Sequence, residues 1–220
     1  MVVVLPEQNI IERYDLATLR RELVVAKPAE GTVRNISMGS ASAGPLMINS
    51  AVKDTGGQTS FFDLVTLQKL EVEGPVNGRW EGYALYVRAS ADGTVFTGWR
   101  SDGSPSGLHV LRLNGNKTEY SYAHESVGYV LAGQDGIQIY TALGLYSVDL
   151  KPYPGTLGKT LSYLPTYSTA YFLGIAEKTG QGAASQSRGS MGWDVSVYSS
   201  VDKKVLLTMP TCQVPAGSER

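Results

Sequence analysis

Between residues 10 and 16 the chain reads Ile10-Ile11-Glu12-Arg13-Tyr14-Asp15-Leu16, apolar and polar positions in rough alternation. A period of two sends successive side chains to opposite faces of a half-buried strand. Runs of this kind return along the chain, and none holds a helical period. The pattern predicts strands over 2–5, 9–16 and 20–25, then 33–38, 45–49, 60–64 and 68–72. A third set follows at 83–87, 94–99, 108–113 and 117–122, and a fourth at 127–132, 137–141 and 144–150. Asp-Gly and Asn-Gly tolerate the positive φ of tight hairpins, so Ser90-Ala91-Asp92-Gly93, Asn114-Gly115-Asn116 and Gln134-Asp135-Gly136 mark turns. Two prolines and two glycines in 151–158 predict an irregular strand there. Beyond it, strands are expected at 171–176, 193–198 and 204–209. A Gly/Ser/Gln-rich insert over 178–192 reads as a mobile loop.

A short motif recurs within this pattern. Tyr14-Asp15-Leu16-Ala17-Thr18-Leu19 is followed by Phe62-Asp63-Leu64-Val65-Thr66-Leu67. Weaker copies are Val110-Leu111-Arg112-Leu113, Ser147-Val148-Asp149-Leu150 and Val197-Tyr198-Ser199-Ser200, which aligns Asp15, Asp63, Arg112, Asp149 and Ser199. These positions lie 48, 49, 37 and 50 residues apart, and a period in this range with β-rich content points to a β-propeller of four-stranded antiparallel blades. The Ser90-Ala91-Asp92-Gly93-Thr94-Val95-Phe96 and Gln134-Asp135-Gly136-Ile137 hairpins, with the Tyr-Asp-Leu and Phe-Asp-Leu strand ends, resemble the repeats of WD40-like and YVTN-like propellers. The Gly-His pair and Trp-Asp dipeptide of true WD40 repeats are lacking. The resemblance implies a scaffold for partners. Blades are expected at 1–26, 32–72, 83–122, 127–164 and 169–210. Four to five blades fall short of a seven- or eight-bladed ring, since seven would take more than about 300 residues. The chain thus reads as a segment of a larger ring. The alternative is a five-bladed ring in which 211–214 supplies an inner strand to the first blade. An open arc leaves faces and edges uncovered, which favours self-association.

Composition changes this picture little. The 220 residues are 42% hydrophobic and 18% charged, enough for a real core. A formal net charge of -1 argues against nucleic acid or an anionic membrane as partner. No apolar run approaches the roughly 20 residues of a membrane span, and Val2-Val3-Val4-Leu5 is too short for a signal peptide. Cys212 is the single cysteine, so no internal disulfide forms, and a cytoplasmic setting is favoured. Asn35-Ile36-Ser37 and Asn116-Lys117-Thr118 fit the glycosylation pattern but carry little weight without a secretion signal.

Catalytic signals are thin. One cysteine with His109 and His124 does not make a four-ligand zinc site, and no metal or cofactor is expected. Gly155-Thr156-Leu157-Gly158-Lys159-Thr160 ends like a phosphate loop but has Tyr153 where the first glycine belongs. Gly103-Ser104-Pro105-Ser106-Gly107 places proline where a nucleophile elbow needs serine. His124-Glu125 is a nominal acid–base pair, more simply read as solvated neighbours.

Binding is the better expectation. The loops from each outer strand to the next inner strand, and from second to third strands, converge on one face of a propeller. These loops hold Arg79, Trp80, Glu81, Arg100, Asp102, His124, Glu125, Tyr167 and Arg188. Exposed Trp, Tyr and Arg dominate recognition energy. Trp80 between Arg79 and Glu81 is the best single candidate, and the competing role is a ring packed between blades. Trp99 and Trp193, inside strand patterns, favour that packed role. The chain therefore reads as a non-catalytic interaction or ligand-binding module of a larger multidomain protein, taking a protein or peptide partner. The alternative is a propeller-type enzyme, a hydrolase or quinone-dependent dehydrogenase, with its active residues elsewhere.

Overall fold

A computed structural model describes residues 1–26, 31–41, 44–52, 57–74, 80, 86–100, 103–156, 161–178 and 192–210. Among them eighteen strands form five antiparallel sheets. The first sheet holds β1 (Val2–Leu5), β2 (Ile10–Tyr14) and β3 (Arg21–Ala26). The second holds β4 (Thr32–Ser37), β5 (Leu46–Ala51), β6 (Gln58–Phe62) and β7 (Lys69–Leu70). The third holds β8 (Tyr86–Ala89), β9 (Val95–Trp99), β10 (Leu108–Asn114) and β11 (Lys117–Ala123). The fourth holds β12 (Val130–Ala132), β13 (Gln138–Thr141) and β14 (Leu145–Ser147). The fifth holds β15 (Leu161–Pro165), β16 (Tyr171–Lys178), β17 (Gly192–Ser199) and β18 (Val205–Pro210). Every sheet is a meander in chain order, and each packs face to face on the next, the arrangement of β-propeller blades.

Period-two alternation becomes two cores per sheet. In β5, Leu46 and Ile48 pack toward the first sheet while Met47 packs toward the third. In β6, Phe62 and Phe61 divide the same way. In β9, Phe96 joins the second sheet and Val95 the fourth. Ile139 and Tyr140 of β13 face the third and fifth sheets respectively. Each of the four hydrophobic clusters thus fills one junction between consecutive sheets. Polar side chains tie the same junctions. Arg13 donates to the carbonyls of Leu64 and Val65, Arg112 pairs with Asp149 at 3.0 Å, and Lys203 donates to Gln138 Oε1 at 2.8 Å.

The recurring sequence motif is a turn rather than a strand. Asp15 Oδ1 accepts the N–H groups of Ala17 (2.8 Å) and Thr18 (2.7 Å), and Asp63 Oδ1 those of Val65 (2.9 Å) and Thr66 (2.7 Å). Leu19 and Leu67 then take a φ of 55°, the left-handed residue that returns the chain into the outer strand. Ser199 and Lys203 (φ 60°) repeat the device in the fifth sheet. In the fourth sheet the motif shifts: Ser147 stands at the turn, with Leu150 at φ 63°, so Asp149 is not the counterpart of Asp15. In the third, the tighter Asn114-to-Lys117 hairpin replaces it.

Two blade boundaries differ from expectation. Residues 161–165, expected within the fourth blade, pair in full register with β16 and form the inner strand of the fifth sheet. The fourth sheet keeps three strands, because Pro152 and Pro154 allow one isolated bridge, Tyr146 to Pro152, and no ladder. The possible closing strand at 211–214 and most of the 178–192 insert lie outside the described residues.

Candidate functional site

Neighbouring strands in each meander run in opposite directions, so the turns fall at two ends. In the second to fifth sheets the upper end carries the turns from first to second strand and the turns that leave the third strand. In the first sheet it carries the Asp15 turn between β2 and β3, the counterpart of the Asp63 turn between β6 and β7. The lower end carries the loops from second to third strand of the second to fifth sheets and the connections between sheets.

At the lower end, the connection from the second sheet brings Trp80 to the third. Its ring is fully buried, edge-on to His109 (6.5 Å between centroids) and to Tyr120 (6.2 Å). Trp80 therefore fills the gap between blades and is not an exposed recognition residue, because β10 and β11 place two further rings over it. His109 is itself buried, with Nδ1 2.8 Å from the Tyr120 hydroxyl. Gly107 stands at φ +75°, and a Cβ there would meet His109 Nε2 at 2.5 Å, so the loop passes the imidazole only as glycine.

Arg100 and Ser106 close the base of the loop between β9 and β10 by a 2.8 Å backbone hydrogen bond, and Gly107 N–H donates to the Glu125 carbonyl at 2.9 Å. Between this loop and the connection to the fourth sheet lies an open depression of about 490 Å³. Trp99, Arg100 and Tyr129 wall it, and Gly103, Ser106, Ser126 and Gly128 complete its lining. Trp99, the last residue of β9, is half-buried and stacks on the exposed ring of Tyr86 (5.5 Å, 26° between planes), with the Arg88 guanidinium 5.9 Å from the Trp99 centroid. The Tyr129 hydroxyl donates to the Tyr163 carbonyl at 3.0 Å, anchoring this wall to the fifth sheet, and burial pushes its phenol pKa up.

His124 and Glu125 sit beside this region but serve different partners. His124 Nδ1 is 2.7 Å from the Tyr122 hydroxyl, and Glu125 Oε2 accepts from Tyr146 at 3.0 Å. Of the remaining candidates, Arg79, Glu81, Asp102 and Arg188 lie outside the described residues. Tyr167 is on the opposite end: since 161–165 is an inner strand, 166–170 is the turn from first to second strand of the fifth sheet. Trp99, Tyr86 and Tyr129 were not among the sequence candidates. The one sequence signal for Trp99 was its place at the end of a strand, next to the loop holding Arg100.

The upper end has its own groove, also about 490 Å³, where the turns of four sheets meet. Ala41, Ala91, Asp92, Gln134 and Asp135 line it, and Tyr167 stands over it 88% exposed. Its floor is stiff: Ala41 N–H donates to the Ala91 carbonyl (3.0 Å), and Ala91 N–H to the Gln134 carbonyl (3.1 Å). Burial tends to raise the Asp92 pKa, but hydrogen bonds from Ser90 and Thr94 outweigh it and hold the carboxyl below its ordinary value. Among the described residues no three His, Cys, Asp or Glu side chains converge as metal ligands, and no helix is long and apolar enough to cross a membrane.

No family model matches the chain, and no curated protein does. Solved structures do. KlAtg21, in complex with the coiled coil of AgAtg16, superposes with a TM-score of 0.57 at 12% identity, over 95% of this chain and 67% of that one. Hydrazine synthase from Kuenenia stuttgartiensis superposes at 0.51 and 13% identity, over 95% of this chain and 62% of that one. The β-propeller domain of the Trilobed protease from Pyrococcus furiosus reaches 0.47 at 8% identity, over 81% of this chain and 58% of that one. The chain thus spans between 58% and 67% of the length of these three. At these identities the likeness concerns the fold alone.

Proposed function

We propose that the chain is a non-catalytic recognition module of a larger multidomain protein, taking a protein or peptide partner at its lower end. One observation carries this reading: the depression between Trp99, Arg100 and Tyr129. Its rings and guanidinium are the side chains that supply most binding energy at interfaces, and its glycine and serine lining lets a partner approach the backbone. Its walls are held by backbone bonds and by the Tyr129–Tyr163 contact, so little ordering cost falls on binding. KlAtg21, a chain of the same fold, is solved with a coiled-coil partner, which supports a protein partner in general.

A second reading places the partner in the upper groove, favoured by the exposed ring of Tyr167. Selection of a displayed peptide library on the immobilised chain separates the two. Enriched peptides should lose about 30-fold or more in affinity for Arg100→Glu, the mark of a central interface residue, with the melting temperature unchanged. Peptides that ignore Arg100→Glu and lose affinity for Tyr167→Ala move the site to the upper groove. Failure to enrich any peptide contradicts both.

A further inference from the structure

Every junction inside the chain joins two kinds of surface: the trailing face of one sheet and the leading face of the next. The trailing faces are Val2, Val4, Ile11 and Val25 in the first sheet, Met47 and Phe61 in the second, Val95 and Val110 in the third, and Tyr140 and Leu145 in the fourth. The leading face of the fifth sheet is used too, through Tyr163, Phe172 and Tyr198. Among the described residues two faces are then left over, one of each kind.

The leftover trailing face belongs to the fifth sheet. Cross-strand register puts Val195 opposite Ile175 and Met209, and Val197 opposite Leu173 and Leu207, so these six residues share one face. Leu207 is 55% exposed and Met209 44%, and the other four are half-buried. The leftover leading face belongs to the first sheet. There Val3 is opposite Glu12, Glu12 opposite Val24, Leu5 opposite Ile10, and Ile10 opposite Ala26. The one carboxylate on this face is already neutralised. Glu12 accepts from the Tyr14 hydroxyl and from Arg21 Nη1 (2.7 Å), and both side chains lie over it. What remains for a partner is largely apolar: Val3, Leu5, Ile10 and Val24, the last 42% exposed.

We infer that the trailing face of the fifth sheet docks the leading face of the first sheet of a second copy, head to tail. Three things on these surfaces favour this occupant. A contiguous six-residue apolar face is unstable in water and marks an interaction surface. The two free faces are of opposite kind, as at each internal junction, so the contact continues a packing mode the chain already uses four times. Both faces lie along the strands and clear of the lower and upper ends, so the contact does not compete with the recognition site. A head-to-tail interface is heterologous, and it either closes into a ring or extends.

Light scattering on the 220-residue chain over a wide concentration range reads this directly. The wild type should rise above the 23.6 kDa of one chain as concentration increases. Leu207→Arg on the trailing face and Val24→Arg on the leading face should each weaken association about tenfold or more: the first buries an unpaired charge, and the second sets a bulky cation beside Glu12 and Arg21 in the middle of an apolar contact. Mixing the two variants should restore a one-to-one complex. The Val24→Arg copy keeps its trailing face and the Leu207→Arg copy its leading face. Circular dichroism checks that both variants fold, and Met209→Arg and Ala26→Arg replace either one that does not. A wild type that stays at 23.6 kDa throughout overturns the inference. So does association that ignores Val24→Arg, which would mean that the fifth sheet accepts another segment or pairs with its own copy.

Discussion

Replacing Trp80 by alanine isolates the junction between the second and third sheets. The indole is fully buried, so folding removes about 200–250 Å² of it from water. At about 25 cal/mol per Å² this sets an upper estimate of about 5–6 kcal/mol. The edge-on contacts with His109 and Tyr120 add about 0.5–1.5 kcal/mol, while partial collapse of Met47, Phe61 and Leu111 into the space recovers some. Large-to-small replacements of this type cost about 3–5 kcal/mol, the value expected here. For a chain of this size that lowers the melting temperature by roughly 6–20 °C. Urea unfolding followed by far-ultraviolet circular dichroism measures it, with Trp99→Ala as the half-buried comparison that should lose less. Stacked sheets contact only their neighbours, so a fall in the denaturant slope would report that the row parts at this junction. A loss under about 1 kcal/mol with an unchanged slope would refute the packing argument and return Trp80 to the binding surface.

Four further outcomes rest on contacts elsewhere in the sheets. Gly107→Ala forces a side chain onto His109 Nε2 at positive φ, so it should cost about 1–3 kcal/mol by urea titration. Asp63→Ala should lower the melting temperature more than Asp149→Ala. The first loses two turn N–H bonds and the second only an exposed ion pair with Arg112. The Thr66 and Val65 bonds hold the Asp63 carboxyl below its ordinary pKa, so its contribution is present above about pH 4 and fades as pH falls through the folded value. Wild type should lose stability in that acid range faster than Asp63→Ala. In alkali, burial pushes the phenols of Tyr140, Tyr146 and Tyr163 up to about 12, with the Glu125 carboxylate adding to Tyr146. Their unfolded pKa is about 10, so this stability is intact below pH ~10 and lost as pH rises toward ~12. Tyrosinate absorbance should therefore appear together with unfolding, and its appearance in a still-folded chain would contradict the burial of these rings.

Much of the fold was legible because it is local. Alternation located the strands, and the Asp-Gly and Asn-Gly pairs located hairpins that the structure contains at 90–95 and 114–117. The Asp15 and Asp63 repeat was visible because one side chain closes one turn, although its job is capping N–H groups rather than ending a strand. Residues 161–165 carry no local sign of belonging to the fifth sheet, because Pro152 and Pro154 remove the ladder that would otherwise finish the fourth. The end that Tyr167 occupies follows from that strand count and is hidden in the sequence for the same reason. The burial of Trp80 depends on His109 and Tyr120, about 30 to 40 positions away, which no local pattern encodes. Trp99 reads as a core residue by periodicity and does pack against the core between the third and fourth sheets, but its place at the strand end also sets it in the lining of the depression.

Which end of the sheets meets the partner decides the proposed function. Hydrogen–deuterium exchange on the chain, free and bound to a peptide enriched from the displayed library, tests this directly. Protection over 99–100, 103–107 and 126–129 is the predicted result. Protection confined to 40–41, 91–92, 134–135 and 166–169 would place recognition in the upper groove and contradict the proposed site.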